Sequence, residues 1–497
     1  MEKKERLFSL DLLRGLDMFL LTVVGPLFWA IHGLMKFPDA VTRQFKHPWG
    51  GFTLWDIIMP LFIFMCGAAI PYALSKRMEG GRPTADYWRH VVLRVAFLWF
   101  CGLLVQGDLA TLDPARIYPY SNTLQSIAAG YLIAAMAFAV PVRAVRVFAP
   151  VALAAAYGLL LHFLGDYTTT GNFAFAVEKK VLTALLPASS DIARGIAGLT
   201  AETAAGTSKF HYTWWLTTLM FGAMTLCGAQ CAEILRGAWE PRRKALVLFL
   251  LGAVLLAGGW ALVPVVPPIK HIYSVSFTCQ AMGWSILLLA LLYTATDIAK
   301  IRRGMWIFTL FGQCALTCYM VTHFFGAALQ KAAAVLVQGV PHLLAGFGVQ
   351  DESLQGSLHR LATTLAAAVL LTFVLWVRRR LSAARPDEAT VTAEPAAERT
   401  PRAATDNGAV AERYRLPGQV EPPPAPRTAE SDESGTTGPK MASKVRLQLH
   451  RKPEAPAPEP APALPNAGVI RLKPPNGQKP VPYQPEPPTV ELKPRTP

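Results

Sequence analysis

Apolar runs of about 20 residues recur between Phe8 and Val377, separated by short polar loops, and each is long enough to cross a hydrocarbon core of roughly 30 Å as a helix. About ten spans are predicted, near 10–34, 53–74, 90–106, 123–142, 147–164, 214–235, 245–263, 273–296, 305–325 and 358–377. The first run follows the basic opening MEKKERLF, contains Asp11, Arg14 and Asp17, and lacks a small-residue cleavage site. It therefore reads as a span rather than a removable signal peptide.

Two stretches break the pattern. The loop 165–212 is mostly small and polar with an amphipathic piece around 173–186, and serves equally as a cover for a site or as a connection. The stretch 326–356 is half apolar and interrupted by Gly339 and Pro341. It reads as a re-entrant or interfacial segment, or as an eleventh span. From about Ser382 the composition turns to Pro, Ala, Glu, Arg and Thr, too poor in core-forming residues to pack. The organisation expected is a polytopic membrane domain over 1–381 and a disordered Pro-rich tail over 382–497 that is a solvated linker or binds a protein partner.

Composition agrees: 52% of the residues are hydrophobic and 16% charged, which points to an all-α integral membrane protein whose main partner is the lipid bilayer. The formal charge of +15 would suit nucleic acid, but the basic residues sit in short loops and in the tail, so membrane topology explains them without such a partner. Lys3, Lys4 and Arg6, Lys76 and Arg77, Arg143 and Arg146, Arg242 to Lys244, Arg302 and Arg303, and Arg378 to Arg380 all fall on one side. That side is predicted to be cytoplasmic, with both termini on it and the loop of His47 outside. All seven cysteines lie within apolar runs, so they read as packing residues rather than a disulfide framework, and no metal is called for.

Carboxylates are costly inside a span and usually face a bundle interior or a wet cavity. Asp56, a few residues inside the second run, is such a group, and Thr53 before it is a candidate cap. His47 lies just upstream in FKHPWGG, and a neutral imidazole near a carboxylate is suited to general-base or nucleophilic work. A solvated loop histidine is the competing reading. In the first span Arg14 can pair with Asp11 or Asp17, as a structural ion pair or as a holder of an incoming anion. Asn122, Gln125, Lys270 and His271 are further polar residues at span ends, Lys270 with the alternative of snorkelling to the surface.

The ordered set SLDLLRG from Ser9, HPWGGFTLWDIIMPLFIFMCG from His47 to Gly67, Arg94 in the third span, and LQSIAAGY from Leu124 to Tyr131 resembles the heparan-alpha-glucosaminide N-acetyltransferase family and its bacterial relatives. The resemblance covers roughly the first three quarters of the chain. It implies an enzyme that moves an acetyl group from cytoplasmic acetyl-CoA to the amine of an amino sugar across the membrane. It further implies that His47 is the catalytic residue, as acetyl carrier or as base, that Asp56 orients it, and that Arg14, Arg94 or the short basic loops hold the phosphates of the donor. Trp49, Asn122, Gln125, Lys270 and His271 are then the candidate acceptor contacts. A bacterial inner (plasma) membrane location, an envelope glycan as acceptor and room for a homo-oligomer complete that expectation. The rivals are a transporter, in which Asp56, Arg14 and Lys270 line a path, and a non-catalytic scaffold that recruits partners through the tail.

Overall fold

The computed structural model describes residues 7–198 and 212–383, all within one compact unit, Met1–Glu398. The predicted tail lies outside the described residues, apart from the end of the last helix. In chain order the helices are α1 (Phe8–Met35), α2 (Leu54–Arg77), α3 (Ala85–Gln106), α4 (Thr123–Ala139), α5 (Arg143–Leu164), α6 (Phe173–Leu185), α7 (Asp191–Ala197) and α8 (Thr218–Arg236). They continue as α9 (Pro241–Ala261), α10 (Val275–Ile298), α11 (Trp306–Gln313), α12 (Ala315–Phe324), α13 (Gly326–Leu336), α14 (Val340–Gly346) and α15 (Glu352–Ser382). A tight hairpin between Met78–Glu79 and Arg82–Pro83 joins α2 to α3.

Among the described residues eight helices, α1, α2, α3, α5, α8, α9, α10 and α15, are long and apolar enough to cross a membrane. The protein is an all-α integral membrane protein. Two of the predicted spans take other forms: α4 has 17 residues, and the predicted ninth span is the pair α11 and α12, bent by 76°. The stretch 326–356 holds α13 and α14, of 11 and 7 residues, too short for an eleventh crossing.

Burial separates an inner from an outer set. The apolar windows of α2 and α8 are each 67% buried and that of α10 61%, against 11% for α5 and 17% for α9 and α15. The outer helices turn Phe148, Val151, Phe163, Phe249, Val254 and Phe373 outward, an apolar surface that lipid, unlike water, solvates without cost. Close crossings hold the inner set. A Cβ on Gly67 of α2 would lie 1.8 Å from the Thr225 carbonyl oxygen of α8, and one on Gly228 of α8 would lie 2.0 Å from that of Phe64. In a membrane, where apolar burial no longer drives association, such backbone approach provides the packing that does.

Two irregularities shape the interior. Pro26 lacks an amide hydrogen, and its ring displaces the carbonyl one turn back, so α1 widens into a π turn over Leu20–Val24. The break after Gln313 falls where α11 and α12 have different neighbours. Gly312 lies backbone to backbone on α1 at the Asp11 carbonyl, whereas Cys318 and Tyr319 pack with Leu98, Cys101 and Leu124 of α3 and α4.

Candidate functional site

The segment before α2 is fixed locally. The Thr53 hydroxyl donates to the Lys46 carbonyl at 3.0 Å, and the Leu54 and Trp55 amides donate to the side chain and backbone oxygens of Gln44. Asp56 Oδ2 accepts from the Thr53 amide at 2.9 Å, the return half of a capping box. The other oxygen, Oδ1, lies 2.6 Å from His47 Nδ1. Asp56 is fully buried, and the His47 side chain is 33% exposed. The carboxylate that caps the helix therefore also holds the imidazole, which donates from Nδ1 and keeps Nε2 as its acceptor nitrogen.

The third member comes from 223 residues further along the chain. Lys270 Nζ lies 3.4 Å from Asp56 Oδ1, 3.1 Å from His47 Nδ1 and 3.3 Å from Nε2. Lys270 is buried, so the snorkelling alternative is overturned: the turn after Pro268 points it inward. That turn ends at Tyr273 with a left-handed φ of 46°, an uncommon backbone state for a bulky residue. Hydrogen bonds from Gly51 N to the Pro268 carbonyl and from Thr213 N to the His271 carbonyl tie the turn to both neighbouring loops. Burial pulls Lys270 down to about 8 against the pull of Asp56. Burial, helped by the Lys270 charge and opposed by Asp56, also lowers His47 from its ordinary value. The lowering of His47 keeps the imidazole neutral near physiological pH.

The other expected acceptor contacts divide. Asn122 lines the His47 cavity, and its Oδ1 also caps α4 through the Leu124 and Gln125 amides. Gln125 does not reach the cavity. Its amide is consumed by the Pro119 carbonyl, the Ser121 amide and Asn122, so it is a clamp for the chain entering α4. Trp49 and His271 form a layer behind the site rather than a lining. The indole donates to the Tyr167 carbonyl at 3.0 Å and stacks on His271 at 5.2 Å, and His271 in turn meets Tyr212 at 4.5 Å.

Three cavities run from end to end of the helices. The first, about 310 Å³, is lined by His47, Lys270, Asn122, Tyr212 and Trp214. It shares Phe62, Thr123 and Tyr319 with a second of about 800 Å³, which contains both Arg14 and Arg94. The second shares Arg14 and Ala69 with a third of about 730 Å³, bounded by Lys76, Arg236, Tyr72 and Ser75. Arg94 lies 3.8 Å from Cys66 Sγ and 4.6 Å over the Tyr131 ring. Arg14 pairs with Asp11 at 3.8 Å rather than with Asp17, which is buried with neither oxygen bonded among the described residues.

Sequence reasoning missed Tyr212, Trp214 and Tyr319 as lining residues, whereas Lys76 and Arg236 belong to the short basic segments it offered for the donor phosphates. The run YTWW after the long loop was the available signal. It also missed Glu178 in α6, whose Oε2 accepts from the Trp214 and Trp215 amides at 2.9 and 3.1 Å. Burial pushes this carboxyl up to about 7. The amphipathic piece of the long loop thus holds the wall of the His47 cavity through one side chain; residues 199–211 lie outside the described ones.

DUF5009, described as a domain of unknown function, matches residues 6–180. The match includes Arg14, His47, Asp56, Arg94 and Glu178 and stops before Lys270. No curated protein matches the chain.

Proposed function

We propose that the protein is a transmembrane acyltransferase that takes an acetyl group from acetyl-CoA at the Arg14 end and passes it to the amine of an amino sugar at the His47 end. The observation that carries this reading is the run of three adjoining cavities, with a general base at one end and a group of basic side chains at the other. Arg14, Lys76 and Arg236 suit the phosphates of a nucleotide thioester, and the middle cavity, of about 800 Å³, joins them to the His47 cavity as the arm that carries the acyl group requires. In the transfer the amine nitrogen attacks the thioester carbonyl carbon, a C–N bond forms and the C–S bond breaks. Nε2 of His47 takes the proton of the amine and returns it to the departing thiolate. Attack by Nε2 itself, giving an acyl-imidazole that the amine then opens, uses the same geometry. Asp56 fixes the tautomer in either case.

The reading places ten crossings in the membrane, counting α4 and the bent pair, with the Arg14 end in the cytoplasm of a bacterial cell. It is supported by Lys76, Arg77, Arg146, Arg236 and Arg302 at that end. One observation favours a transporter instead: the break between α11 and α12 adjoins the cavities, as broken helices do in carriers. One experiment separates them. Labelled acetyl-CoA is supplied to purified protein with glucosamine-type acceptors, and His47→Ala is expected to lower transfer about 1,000-fold or more with the fold intact. Equal transfer by wild type and variant across acyl donors and acceptors overturns the enzyme reading.

A further inference from the structure

A fourth cavity, of about 440 Å³, lies between α1, α12, α13 and α15 and shares Leu21 and His323 with the His47 cavity. Its depth is informative. Leu21 sits midway along the 28 residues of α1, and Thr364 to Leu371 occupy the middle of α15; at 1.5 Å per residue each is about 20 Å from the ends of its helix. The cavity therefore opens at hydrocarbon depth. Pro26, His323, Ala327 and Gln330 on its flank are exposed, so that flank faces the bilayer.

The lining is less polar than its composition suggests. The hydroxyls of Thr22, Thr322 and Thr364 each donate to the carbonyl four residues back, at 2.8 to 2.9 Å. Their donor hydrogens are thereby taken up within their own helices, and Leu21, Ala368 and Leu371 supply the apolar part of the lining. His323 is likewise turned to its own helix, with Nδ1 at 3.1 Å from the Tyr319 carbonyl and its ring stacked on Tyr319.

We infer that the acceptor is a lipid-anchored amino sugar, whose hydrocarbon chain enters sideways from the bilayer and lies in this cavity while its amine reaches His47. The inference rests on the acyltransferase reading for the role of His47, but the cavity's occupant can be tested apart from turnover. The cavity adjoins the His47 cavity and opens to lipid, as a membrane-borne acceptor requires.

The probe is an alkyl β-glucosaminide bearing a photoreactive group at the end of its chain, added to the full-length protein in lipid nanodiscs. Labelling is expected within Thr364 to Leu371. It should fall at least tenfold in Ala368→Trp, which fills the cavity, while that variant acetylates free glucosamine as the wild type does. Labelling spread evenly over outer helices, or unchanged in Ala368→Trp, overturns the inference, as does labelling of the same stretch by a chain-end photoreactive palmitoyl-CoA. A labelled cavity without acetyl transfer would defeat the enzyme reading alone; transfer without labelling would defeat the lipid-anchored acceptor alone.

Discussion

The two ends of the cavity system are built differently. At the His47 end each charged group is engaged by the others: Asp56 by Thr53, His47 and Lys270, with loops from three parts of the chain braced around them. At the Arg14 end basic side chains line cavities more than twice as large, Arg14 beside the Asp11 carboxylate at 3.8 Å and Arg94 beside a thiol and an aromatic face. Groups already satisfied in fixed positions suit a reacting atom, because their orientation costs nothing at the moment of reaction. Cations that line a roomy cavity suit a ligand that brings its own negative charge. In the acyltransferase proposal, this contrast puts the chemistry at one end and the donor at the other.

The sharpest way to break it is Asp56→Asn. Loss of the carboxylate frees the tautomer of His47, and kcat is expected to fall about 100-fold or more with KM little changed; a KM effect alone would move Asp56 into binding. At the other end Arg14→Gln and Arg94→Gln should each raise KM for the donor about tenfold with kcat nearly intact, the loss of a charge-assisted hydrogen bond. A kcat effect as large as that of Asp56→Asn would erase the distinction between the ends.

The pH profile sharpens the comparison further. His47 must be neutral to act, and the Lys270 charge helps keep it so. In Lys270→Met the imidazole binds its proton more readily, so the acid limb of kcat should move to higher pH. On the alkaline side the two profiles should run together through pH 8, where Lys270 loses its charge, because His47 is already neutral there. The smallest effect is on stability. Folded Glu178 keeps its proton up to about 7 against an ordinary 4.5, so its contribution is present at acid pH and lost as pH rises through that window. Thermal midpoints of the wild type should therefore fall from pH 4.5 to 7 more than those of Glu178→Gln.

Much of this was legible in the chain. Runs of apolar residues located the helices because a span must satisfy its backbone internally and cover its own length in hydrocarbon. The spacing from Thr53 to Asp56, with His47 just upstream, located the pair that the structure draws to 2.6 Å, since a capping box is a local arrangement. The bent pair was not legible, because Gly312 and Tyr319 take their partners from α1, α3 and α4. Gln125 looked like a ligand because its type and position are those of one; only the Pro119 carbonyl and Ser121 amide show its bonds to be spent.

The sequence by itself determined the membrane class, nearly all of the helix positions and the His47–Asp56 pair, since each depends on residues within a few turns of one another. Tertiary structure alone decided the inward turn of Lys270, the placing of Arg14 and Arg94 in one cavity, and the adjoining spaces that link them to His47. Those depend on which helices touch, and in a bundle held by close backbone crossings such as Gly67 on Thr225, small residues permit contact without naming the partner.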